Sequence, residues 1–192
     1  MGKNTRTFLI VAAVLVAAFL FNNYLQDRYT TSSKAIFSGD KADIVGITIS
    51  KTGEAIRLEK SGDNWSISGH DSLVVRQPRL DNLFDKVLTV EHETLVSRNP
   101  EKWPVYAVDD SLGLRLQLFD AREKTLGDFY FGRSKSDWSH NYFRQAGKNE
   151  VFLTNTNVLY QLNTTVAYWG EKPKPPEPDS TAVDQGALPV IE

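Results

Sequence analysis

From Phe8 to Phe21 the chain reads FLIVAAVLVAAFLF, fourteen consecutive residues without a polar side chain, and Asn22, Asn23, Tyr24 and Leu25 follow before the charges at Asp27 and Arg28. A run this uniformly apolar has no polar face, so it does not read as a helix lying half-wet on a core. Taken over residues 8–25 at a helical rise of about 1.5 Å per residue, it spans roughly 27 Å, close to the ~30 Å hydrocarbon core of a bilayer. The expectation is a transmembrane helix over residues 8–25, with the lipid bilayer as its partner and Tyr24 at headgroup depth. Lys3 and Arg6 precede the run, and positive charge on a short N-terminal tail places residues 1–7 on the cytoplasmic side and the remainder outside. That makes the chain a single-pass protein of the inner (cytoplasmic) membrane with a periplasmic main domain. The competing reading is a secretory signal, with Val16-Ala17-Ala18 as the cleavage site; a cut there strands Phe19, Leu20 and Phe21 on the mature end.

The rest of the chain is more ordinary. At 192 residues there is room for one domain with appendages. Twenty-two Lys+Arg against 24 Asp+Glu give a formal charge of -2, which provides no field to attract a polyanion, so nucleic acid is not an expected partner. Cysteine is absent, which excludes disulfides, thiol nucleophiles and cysteine metal sites by inventory.

Residues 26–42 are mostly polar and read as a stalk. Residues 43–169 carry the patterns of an extracytoplasmic α+β domain. Val45, Ile47 and Ile49 alternate with polar or small residues, Ile56 and Leu58 do the same after the Lys51-Thr52-Gly53 turn, and Trp65 with Ile67 supplies a third strand of a β-meander. Pro78 opens a helix whose Leu80, Leu83, Phe84, Val87 and Leu88 share one face, which should pack on the sheet. Thr94 to Val96 form a short strand, and Asn99 to Pro104 a loop. A second antiparallel meander runs through Leu114–Leu118, Phe129–Phe131, Tyr142–Arg144 and Val151–Leu153, and Val158, Leu159, Leu162 and Val166 suit a final short helix. Residues 170–192, with Pro173, Pro175, Pro176 and Pro178, read as a disordered Pro-rich tail.

Candidate chemistry is sparse. His70, His92 and His140 fall in different segments, and no two have metal-ligand spacing. Asp109-Asp110 reads as part of a turn, without the spaced oxygens of a calcium loop. No nucleophile elbow, phosphate loop or dinucleotide fingerprint occurs, so no catalytic, cofactor-binding or metal residues are assigned and no enzyme activity is expected. Asn64-Trp65-Ser66 and Asn163-Thr164-Thr165 fit the glycosylation acceptor, a pattern short enough to arise by chance. One composite stands out: Tyr130, Arg133, Trp138, Tyr142 and Arg144 interleave aromatics with cations. Alternation puts Phe129, Phe131 and Phe143 in the core and turns Tyr130, Tyr142 and Arg144 to the other face, where they and Arg133 and Trp138 could bind a partner protein.

Several phrases together carry a resemblance: Ile47-Thr48-Ile49 through Trp65-Ser66-Ile67, the helix Leu80 to Leu88, Val96-Ser97-Arg98-Asn99-Pro100, Tyr106-Ala107-Val108-Asp109-Asp110, Phe129-Tyr130-Phe131-Gly132, Tyr142-Phe143-Arg144 and Val151-Phe152-Leu153. Over about Asp43 to Leu153 the chain resembles an uncharacterised bacterial family of membrane-anchored domains of unknown function, often encoded beside gliding-motility-type ABC-2 transporter components. The resemblance implies an anchored α+β architecture and an accessory role beside a membrane complex, and it brings no catalytic residues. The expected function is therefore an accessory or scaffolding subunit whose partners are other membrane or periplasmic proteins. An envelope carbohydrate- or lipid-binding module using Tyr130, Trp138 and Tyr142 is the alternative, and a hydrolase is a more remote one.

Overall fold

In the computed structural model, which describes residues 3–135 and 137–173, two alternating segments merge into one sheet. The first is β2 (Gly46–Lys51), β3 (Glu54–Ser61) and β4 (Asn64–Ile67). The second is β7 (Leu114–Phe119), β8 (Thr125–Arg133), β9 (Asn141–Gln145) and β10 (Val151–Thr154). β2 pairs with β7 in register, Ile47 opposite Leu118 and Ile49 opposite Leu116, so the two meanders share a face. On the far side β10 pairs with β6 (Glu91–Ser97), and β6 with β1 (Thr30–Ala35). The result is a nine-stranded antiparallel sheet in the order β1-β6-β10-β9-β8-β7-β2-β3-β4.

That order dictates how the faces are covered. β4 lies at one edge and its successor β6 near the other, so the intervening chain must cross the sheet. It does so with β5 (Val74–Val75), α2 (Gln77–Asn82) and a wide π-helical turn at Leu83–Val87. Leu80, Leu83, Val87 and Leu88 are buried there against Ile47, Ile49, Leu58, Leu116, Phe129 and Phe131. Each such side chain contributes about 1.5–3 kcal/mol of burial before entropy is subtracted. Val158, Leu162 and Trp169 complete this core; Trp169 is wholly buried, and its indole N–H donates to the Asn163 carbonyl at 2.7 Å. Trp169 ends α3 (Val166–Trp169), from which β11 (Gly170–Glu171) returns to pair with β5.

The return from β6 to β7 crosses the opposite face. Residues 98–113 form a strap of tight turns over β8, β9 and β10, burying Val108 with Tyr130 and Val151 beneath Trp103 and Tyr106. Over β8 to β10 the sheet is thus covered on both sides. β8 shows this in its burial: from Phe129 to Gly132 every residue is buried.

Three expectations are corrected. The α+β class gives way to a mostly β protein, one large antiparallel sheet with few and short helices apart from α1 (Lys3–Tyr29). The transmembrane helix over residues 8–25 is not upheld: those residues are helical within α1, but among the described residues no helix is long and apolar enough to cross a membrane. The physical reason lies in the run itself. Its fourteen wholly apolar residues cover only about 21 Å of a ~30 Å core, and reaching Leu25 requires Asn22 and Asn23. The third concerns the amphipathic and final helices. The first is a short α-helix continued by a π turn, whereas Val158–Leu162 make turns and the last helix begins only at Val166. Within the expected stalk, Thr30–Ala35 pair with β6. Most of the expected disordered tail, residues 174–192, lies outside the described residues.

Gly132 shows how closely strap and sheet approach. A Cβ at this position would run into the Tyr106 carbonyl oxygen and lie 2.7 Å from that of Ala107, both backbone atoms with little room to yield. Gly132→Ala should therefore cost about 1–3 kcal/mol in urea denaturation, an overpacking penalty. At Gly53, where φ is +79° and no atom lies within 4 Å, alanine should cost only the local backbone strain, about 1 kcal/mol.

Candidate functional site

Strand alternation separates the five sequence-singled residues into two groups. Tyr130 of β8 and Arg144 of β9 are cross-strand partners on the strap face, at 4% and 3% exposure. They do not line solvent. The Arg144 guanidinium lies between two rings, 3.9 Å from the centroid of Trp103 and 4.2 Å from that of Tyr130, and its Nε–H donates to the Val108 carbonyl at 2.8 Å. Arginine suits this place because its planar, weakly hydrated cation stacks on aromatic faces while still donating along its edge. Burial pulls the Arg144 pKa down, an effect opposed by the nearby Tyr130, Asp110 and Asp128.

Around this stack most polar groups are paired with one another, Asp109 Oδ2 being buried without a hydrogen-bond partner. The Tyr130 hydroxyl donates to Asp110, and burial first, then this hydrogen bond, pushes its pKa up to about 12. Arg115 grips Asp128 through two bonds of 2.8 and 2.6 Å and lies 5.2 Å from the Tyr130 ring. For Asp109, burial raises the pKa but is outweighed by the Ser111 hydroxyl and the backbone N–H groups of Leu112 and Ser111, so the carboxyl ends below its ordinary value. Tyr142 is half-buried against Tyr106, their centroids 4.8 Å apart. The cleft of about 430 Å³ beside these groups, at Ser50–Ala55, Asp110, Arg115 and Tyr130, thus has its Arg115 and Asp110 already engaged.

Arg133 and Trp138 stand apart from that cluster. Trp138 is 66% exposed, with the Arg133 guanidinium 5.7 Å from its ring centroid. The backbone beneath the exposed ring is fixed: Asn157 Nδ2 donates to the Trp138 carbonyl at 3.0 Å, and Asp137 accepts from the Ser139 N–H and contacts His140 Nδ1. Arg133 also borders a cleft of about 590 Å³ at the end of the sheet where β2 and β8 finish and β3 and β7 begin. Its floor is Leu114, Phe131 and Leu162, its walls come from the strap (Ala107, Leu112) and from Asn163–Thr165, and Lys51 faces it from the β2–β3 hairpin. Glu54 lies in the same cleft, accepting at 2.6 Å from the Thr164 hydroxyl. Among the described residues neither Lys51 nor Arg133 has a carboxylate within 4.0 Å. The arrangement can hold an apolar group between two cations; among the described residues no three His, Asp or Glu side chains are grouped to hold a metal.

Trp103, Tyr106, Lys51 and Leu112 were not singled out by sequence reasoning. A signal existed for the first two: the segment after Pro100 spends Trp103, Val105, Tyr106 and Val108 in six residues, more apolar surface than solvent exposure calls for. Lys51 in a hairpin turn carried none.

Residues 65–185 match the domain of unknown function DUF4340, well over half of the chain. The chain belongs to the DUF4340 family. No curated protein and no solved structure matches it. The DUF4340 match includes α2, the strap, β6 to β11 and every residue of the Arg144 stack, whereas Lys51 and Glu54 on the cleft rim precede it.

The stack yields two expected outcomes. Arg144→Met keeps bulk but leaves the Val108 carbonyl without its donor and the rings without their cation, and should cost about 2–4 kcal/mol in urea denaturation; Arg144→Lys should recover little of this. For Tyr130, the folded state holds the proton more tightly than the unfolded chain, so its contribution is complete below about pH 10 and is lost as pH rises through about 12. Between pH 9 and pH 11 the wild-type chain should therefore lose about 1 kcal/mol more stability than Tyr130→Phe.

Proposed function

We propose that this DUF4340 chain is a non-enzymatic accessory or scaffolding subunit that binds a protein partner of a transport or envelope assembly, in keeping with its resemblance to domains encoded beside ABC-2-type transporter components. The observation that carries the reading is the exposed Trp138, 66% accessible, anchored through its own carbonyl and accompanied by Arg133. Tryptophan and arginine dominate interface hot spots, and a loop whose backbone is already fixed loses less entropy when a partner covers it. The double cover over β8 to β10 supports the same reading, because it supplies a packed platform beside which the end cleft and the Trp138 loop remain open. The alternative carbohydrate- or lipid-binding reading required Tyr130 and Tyr142 beside Trp138, and those two lie under the strap, Tyr130 buried and Tyr142 half-buried.

A photoreactive amino acid placed at position 138 tests this in native cells, with the same group at Val105, 66% exposed on the strap, as the control. Position 138 should yield an adduct with a transporter or envelope subunit that position 105 does not. Absence of an adduct at 138, or identical adducts from both positions, contradicts the proposal.

A further inference from the structure

We infer that the cleft at the sheet end recognises an extended acidic segment of the partner protein, one in which a leucine-sized apolar side chain is flanked by carboxylates. The inference rests on the partner-binding reading and specifies its chemistry. The floor of Leu114, Phe131 and Leu162 is apolar and largely buried, so the side chain entering it must be apolar. Lys51 and Arg133 face the same cleft without carboxylates of their own among the described residues, while the one acidic residue lining it, Glu54, accepts from Thr164. Glu54 keeps its charge, so two cations against one carboxylate leave the lining net positive, and charge complementarity favours a ligand that brings carboxylates beside its apolar group. A cleft of about 590 Å³ accommodates one such side chain and its neighbours. Trp138, 5.7 Å from the Arg133 guanidinium and outside the cleft lining, extends the contact beyond the cleft, which favours a chain passing over the rim rather than a compact small acid. On one wall the Asn163 amide N–H faces a peptide backbone, while the Thr164 and Thr165 hydroxyls, which already donate to Glu54 and to Asn163 Oδ1, can serve it as acceptors.

The test uses the full chain and a fluorescein-labelled peptide of alternating glutamate and leucine, its glutamine–leucine counterpart, and vesicles of phosphatidylcholine with and without phosphatidylglycerol. The acidic peptide should bind, read as a rise in fluorescein anisotropy, and the amide counterpart should bind about tenfold more weakly or worse. Lys51→Glu with Arg133→Glu should weaken the acidic peptide by at least about tenfold while the circular dichroism spectrum stays unchanged. Should the double variant disturb folding, Lys51→Gln with Arg133→Gln should show the same direction with a smaller loss. Equal affinity for both peptides, indifference to both double variants, or binding of anionic vesicles in place of the peptide overturns the inference. A partner adduct at position 138 that persists in the Lys51→Glu, Arg133→Glu chain would leave the scaffold reading intact and overturn this one alone.

Discussion

The structure depends on one buried cation. Arg144 stacks between Trp103 and Tyr130 and holds the Val108 carbonyl, and in doing so it fastens the 98–113 strap to the centre of a sheet whose other face is already filled by α2 and its π turn. A guanidinium taken out of water is costly unless its charge and donors are accommodated, and here two ring faces, a carbonyl and the field of Asp110 and Asp128 do so. With that arrangement in place the strap becomes part of the fold, and its Ala107 and Leu112 become one wall of the end cleft.

The route of the chain makes such a fastening necessary. β4 and β6 stand far apart in the sheet, so the chain crosses one face outward and the opposite face on return. The outward crossing is a helix with an apolar stripe and secures itself by ordinary burial. The return has no regular element longer than a single turn and has less apolar surface to spend. Its close approach at Gly132, the left-handed Ala107 at φ 51° and the aromatic–cation stack are the means by which an irregular segment packs tightly on a pleated surface.

Much of the sheet was legible in the sequence because period-two alternation marks a strand with one buried face. Ile47 and Ile49, Leu116 and Leu118, and Phe129 and Phe131 all reach the core that the pattern implies. Alternation says nothing about what lies over the second face, which is why Tyr130 and Arg144 read as solvent-facing although the strap buries them. Strand order is equally silent in a local pattern: the pairing of β2 with β7 and of β6 with β10 joins segments tens of residues apart. Of the site, Arg133 and Trp138 were visible as an aromatic–basic composite, whereas Lys51 entered only because the β2–β3 hairpin ends beside them. The apolar run at Phe8–Phe21 was read across two asparagines, and that extension supplied the length on which the membrane-spanning expectation rested.

The central claim is that the Arg144 stack holds the strap in place and thereby shapes the cleft, and native-state hydrogen exchange tests it directly. In Arg144→Met the strap amides of Val108 and Gly113, which bond to Trp103 and Asp109, should lose protection by at least about tenfold, while the β7 amides Leu116 and Leu118 keep theirs under conditions where the sheet remains folded. Unchanged protection of Val108 and Gly113, or uniform loss across strap and sheet alike, would contradict the account.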